Sequence, residues 1–170
     1  MRYFTAFLVS CAVLTQAASA QTPPPQTGNQ ITITGWRVEC DSQTAGLNCR
    51  VTDQATQQTT NLVVAGLGVT LASDTKKPVL TIQVPLQLAV SDPITVSSEN
   101  VSQPYPALTC DRPGCFARAP ITDGLLDKMR LSKQPLKIVY NVINPATLAK
   151  QTITVSLPLD GFAASLDKIK

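Results

Sequence analysis

Between Leu80 and Val90 the chain is apolar at every second position: Leu80, Ile82, Val84, Leu86, Leu88 and Val90. Thr81, Gln83, Pro85, Gln87 and Ala89 take the alternate positions. A strand here therefore turns one face to a core and the other to water. Pro85 cannot donate to a ladder, which calls for an edge or a bulge. The same period predicts strands over residues 31–38, 62–71, 135–143 and 153–159. Gly66 and Gly68 inside the second of these predict a bend or bulge.

Helical spacing is brief by comparison. Thr122-Asp123 can cap a segment running to about Leu131, with Leu125, Leu126 and Met129 inward. Asp160 can cap a last helix in which Phe162, Leu166 and Ile169 recur. Many strands with short covering helices predict an all-β fold, an antiparallel jelly-roll-like sandwich spanning residues 31–170 as one domain.

Four cysteines stand in two close pairs, Cys40 with Cys49 and Cys110 with Cys115. Pro113-Gly114 suits the centre of a type II turn, and residues 41–48 read as a hairpin connection. Of the three possible connectivities, 40–49 and 110–115 is the one these turns favour. Loops this short give roughly 2–3 kcal/mol each on a chain-entropy model. Trp36 is expected in the core beside the Cys40–Cys49 bridge.

The N-terminus explains why such cysteines would be oxidised. Arg2, an apolar stretch over residues 4–14 and Ala18-Ser19-Ala20 form a secretion signal, residues 1–20, with cleavage expected before Gln21. Leu8-Val9-Ser10-Cys11 loosely resembles a lipoprotein signal, but apolar sequence continues beyond Cys11 where an acylation site would end it. Pro23-Pro24-Pro25 lies in a polar leader, residues 21–30, expected to be extended and flexible. The product is expected in the periplasm or outside the cell, where disulfides persist.

Charge and chemistry narrow the function further. Fourteen basic residues, one of them in the signal, stand against eleven acidic ones, and Lys76-Lys77 is the longest like-charge run. No basic stripe for nucleic acid emerges, and no later apolar run suggests a membrane span. The chain has no histidine, which excludes Ser-His-Asp and Cys-His nucleophiles and the usual zinc sites. The acidic residues sit in turn or cap contexts such as Asp92-Pro93, Asp123-Gly124 and Asp160-Gly161. Ser132-Lys133, and Ser165 near Lys168, carry no recognisable dyad signature. No catalytic residue, cofactor or metal is therefore expected, and the four cysteines are the only site residues assigned.

Trp36-Arg-Val-Glu-Cys40, then Cys49, then Val84-Pro85-Leu86 follow an order resembling the invasion-associated locus B family. Tyr105, Cys110, Gly114-Cys115-Phe116-Ala117 and the closing Leu157-Pro-Leu-Asp-Gly161-Phe162-Ala163-Ala164 extend the resemblance over nearly the whole mature chain. The sequence departs from the pattern at Gln87 and Ser91, and at Ser132-Lys133-Gln134-Pro135, where glycines are common. The resemblance implies a small secreted or periplasmic envelope protein of Gram-negative bacteria, linked by its family name to host-cell invasion, with no established catalytic residues. The expected partner is an envelope or host-surface protein, met by a monomer or weak oligomer. The alternative is a periplasmic module for a small ligand or glycan, and a hydrolase of unfamiliar type is a third reading. A contact protein should show an exposed patch without a deep polar cleft, whereas a ligand module should show a concave pocket with aromatic walls.

Overall fold

The computed structural model describes residues 30–43 and 46–170. The signal, the cleavage point before Gln21, Cys11 and the leader up to residue 29 lie outside the described residues.

The chain is mostly β. Its elements are β1 (Ile31–Ile33), β2 (Arg37–Gln43), β3 (Gly46–Gln57), β4 (Val63–Leu71), β5 (Pro78–Val84), β6 (Ile94–Ser98), β7 (Val101–Tyr105), β8 (Ala107–Asp111), β9 (Gly114–Pro120), α1 (Asp123–Leu131), β10 (Leu136–Ile143), β11 (Lys150–Leu157) and α2 (Phe162–Asp167). A large antiparallel sheet runs β3-β4-β5-β9-β8, with β1 and β2 following one another along the free side of β3. A small sheet runs β11-β10-β6-β7. Val51, Val69, Leu80 and Ile82 from the first meet Ile94, Val96, Ile138 and Leu157 from the second in one buried cluster. Leu125 and Met129 of α1, and Phe162 and Leu166 of α2, add to it.

The strand expected over residues 80–90 stops at Val84. Pro85 supplies no ladder donor, so the chain leaves the large sheet there rather than bulging within it. It resumes against the small sheet, where Ala89 N donates to Asn141 O at 2.8 Å and Ile143 N to Gln87 O at 2.8 Å. Leu88 is buried, but Leu86 and Val90 are exposed, and the two-residue period ends with the strand. The stretch over 31–38 is likewise broken, at Gly35, whose φ of 78° turns the chain between β1 and β2.

Other local expectations shift by a residue or two. The Arg112-Pro113 peptide is cis and Asp111 pairs with Gly114, so the turn centres on Arg112-Pro113 and not on Pro113-Gly114. Gly114 serves close approach instead, because a Cβ there would collide with the Val84 carbonyl. Residues 41–43 and 46–48 are strand, so the β2–β3 ladder runs on past its disulfide. Thr122 precedes α1 without a side-chain cap bond, and its N–H is taken by Gln103 Oε1 at 2.9 Å. Gly161 with φ 84°, not Asp160, is the residue entering α2. Trp36 packs edge-on against Phe162, with ring centroids 4.8 Å apart, and donates to Pro158 O at 2.7 Å. It lies four strand positions from Cys40, roughly 13 Å along the chain, which takes it away from the bridge.

Gly66 and Gly68 sit in a regular ladder. The bulge is beside them, where Ala55 pairs with Ala65 but Thr56 with Val63, leaving Val64 as the extra residue. Its freed carbonyl accepts the Tyr140 hydroxyl at 2.7 Å, a bond from the small sheet to the large one. Tyr105 is equally buried, yet its hydroxyl finds no partner among the described residues. Burial pushes both phenols up. Tyr140→Phe should therefore cost about 1–2 kcal/mol, since it orphans a carbonyl as well as losing a bond. Tyr105→Phe should be neutral or slightly stabilising, and urea unfolding of the two variants checks the contrast.

Candidate functional site

The apolar period that fills the core leaves the alternate residues of β3, β4 and β5 pointing outward, and the register aligns those outward residues into rows. One row crosses five strands: Arg37 opposite Thr52, Thr52 opposite Gly68, Gly68 opposite Thr81, and Thr81 opposite Arg118. The next runs Gln54, Gly66, Gln83, Phe116 and Thr109. Together they form an open trough of about 1090 Å³ on the outer face of the large sheet. Arginine stands at both ends of the first row, about 19 Å apart at the backbone, four strand spacings.

Glycine forms the middle of the floor. A Cβ at Gly68 would meet nothing within 4 Å, and one at Gly66 would make only ordinary contacts. Neither has a positive φ. Glycine inside a strand weakens it, and where backbone geometry does not demand it the remaining reason is close approach of something else.

The two end walls are built differently. At one end Glu39 bridges two guanidiniums: Arg37 Nη2 lies 2.8 Å from Oε1, and Arg50 Nη2 lies 3.0 Å from Oε2. Desolvation works to raise the Glu39 carboxyl, but the hydrogen bonds from Arg50 and Arg37 and the Arg37 charge outweigh it and hold it below its ordinary value. A carboxyl so held stays ionised near neutrality, which suits a brace and not a general acid. At the other end Phe116 is half-buried, and Arg118 is exposed with no ion pair among the described residues.

Arg37 is positioned from beneath. Its Nη1 donates to Thr34 Oγ1 at 2.7 Å, and that hydroxyl donates to Asp53 Oδ1 at 3.1 Å. Gln54 N also donates to Asp53 Oδ1, at 2.7 Å. Asp53 is only 1% exposed and its Oδ2 has no partner among the described residues. Desolvation raises its carboxyl above the ordinary value of 3.8, against the hydrogen bonds from Gln54, Thr34 and Gly35.

The four cysteines assigned from sequence bond as 40–49 and 110–115, each pair directly opposed across its hairpin. They do not meet one another. Each instead staples a hairpin that carries one end wall, β2–β3 for Arg37, Glu39 and Arg50, and β8–β9 for Phe116 and Arg118. The wall and floor residues were not assigned from sequence. The one legible signal was the Gly66-Gly68 pair, two glycines on the same strand face. Among the described residues no three Cys, Asp or Glu side chains group to hold a metal.

Residues 36–170 match the model of the invasion associated locus B (IalB) protein family. The chain belongs to this family. The crystal structure of invasion associated protein B from Bartonella henselae has the same fold, with a TM-score of 0.65 and 21% identity over 79% of this chain and 89% of that one. No curated protein sequence matches. In this IalB chain the first and last landmarks of the resemblance, Trp36 and the stretch from Pro158 to Phe162, meet in space as one packed corner.

Asp53 gives the site a signature in pH. Because its folded-state value is the higher one, its contribution to stability is complete below the ordinary 3.8 and is lost as pH rises through the raised value. Asp53→Asn keeps an acceptor toward Thr34 and cannot ionise. The variant should gain stability relative to the parent as pH climbs from about 4 to about 7, read from urea midpoints across that range. A constant offset would mean that Asp53 does not titrate in this window.

Proposed function

We propose that this IalB protein is a non-enzymatic component of the bacterial envelope, exported before Gln21 into the periplasm or beyond, and that it works through contact. The outer face of the large sheet is its contact surface. Family membership and the two disulfides support an extracytoplasmic protein. A share in host-cell invasion follows the family name and the Bartonella relative, and for this chain it is part of the same proposal.

One observation carries the reading: the glycine floor between two arginine-bearing walls. The side chains around it donate and accept hydrogen bonds and present guanidiniums. The trough is also open along its length, as a surface that accepts a broad partner should be.

Gly68→Tyr separates binding from folding. Space is free at this position, and replacing a strand glycine should leave stability unchanged or raise it by about 0.5–1 kcal/mol. The ring would nevertheless fill the floor. Cosedimentation with envelope fragments of the producing bacterium should fall at least roughly tenfold for Gly68→Tyr, a loss of about 1.4 kcal/mol. Thr154→Tyr, on the exposed outer face of the small sheet, should bind as the parent does. Equal binding by all three proteins would exclude the trough.

A further inference from the structure

Beside the trough lies a second concavity of about 430 Å³, between the β4–β5 connection and the two helices. Leu71, Pro78, Leu126 and Leu166 form its walls, and Lys76, Arg130 and Lys170 stand around it. Leu71, Lys76 and Lys170 also line the trough, so the apolar slot opens into the polar channel through a cationic threshold. Asp167 answers part of that charge, at 3.1 Å from Arg130 and 2.7 Å from Lys170. Lys76 has no ion pair among the described residues.

We propose that slot and trough form one site for an anionic lipid. The acyl chain enters the slot, its phosphate or carboxylate rests at Lys76 and Lys170, and the rest of the polar head lies along the trough toward Gly68. The inference rests on the trough being the contact face and names the class of molecule it meets. Charge sign and apolarity select this occupant together. A free anion would leave the leucine-lined slot empty, and a neutral amphiphile would leave Lys76 unanswered. A peptide strand would seek a sheet edge with free backbone groups, whereas the trough lies on the face of the sheet and the slot is walled by side chains.

Calorimetric titration of the mature chain, residues 21–170, with octyl, decyl and dodecyl phosphate below their micelle concentrations tests this. Affinity should rise with chain length, by up to roughly tenfold for each two methylenes buried. Lys76→Glu should weaken every member several-fold, and Leu126→Trp should remove the dependence on chain length. Should Leu126→Trp not fold, the chain-length series and Lys76→Glu still decide the matter. Inorganic phosphate binding as tightly as dodecyl phosphate would overturn the proposal, as would dodecyl maltoside matching dodecyl phosphate, or no binding at all. Thr154→Glu, on the exposed outer face of the small sheet and away from both concavities, should leave these probes unaffected. Failure here with envelope binding still lost in Gly68→Tyr would refute the lipid and spare the contact face.

Discussion

Strict alternation in β3, β4 and β5 is the constraint on which both halves of this molecule depend. Inward residues such as Val51, Val69, Leu80 and Ile82 build the core, and their immediate neighbours Thr52, Gly68 and Thr81 build the trough. A slip of one residue in any of these strands would exchange the two sets. Register is therefore the quantity the fold has to fix. The Val64 bulge sets it at one point, because only there is a carbonyl released to meet the Tyr140 hydroxyl. The opposed cysteines set it at two more, in the hairpins that flank the sheet.

This arrangement gives the disulfides a role beyond closing loops. Cys40–Cys49 and Cys110–Cys115 hold the hairpins that carry the arginines at either end of the row. Between those ends the floor is left flat, at a cost in strand stability of roughly 0.5–1 kcal/mol for each glycine. Nothing in the local backbone requires that loss. A surface kept flat against its own stability is best understood as a surface that something else must reach.

Much of the framework was legible in the chain itself, for physical reasons that also explain what was not. Alternation is a local signal, and it marked β4, β10 and β11 to within a few residues. Helical spacing marked α1 through Leu125 and Met129. The cysteine pairs were readable because each flanks its own turn. Pro85 was read as an edge or bulge within one long strand and not as a crossing between sheets, because which sheet a strand joins is decided by partners far away in sequence. The trough was invisible for the same reason: Arg37, Thr52, Gly68, Thr81 and Arg118 come from five different strands, and only the register brings them into line. Gly66 and Gly68 were noticed and assigned to a bend or bulge, and the bulge lies beside them at Val64. In a chain without neighbours, a glycine spared for close approach looks the same as one spared for flexibility.

The electrostatics followed a similar division. That Glu39 would be braced by arginines on both sides could not be read from Arg37-Val38-Glu39 alone, since Arg50 arrives from the facing strand. Asp53 gave no sign of burial in a segment rich in polar residues, yet it underpins Arg37 through Thr34. The most direct test of the contact face is site-specific photocrosslinking in intact cells. A photoreactive side chain at Thr81, in the centre of the row, should capture an envelope component, and the same group at Thr154 should capture none. Capture from Thr154 with silence at Thr81 would contradict the account.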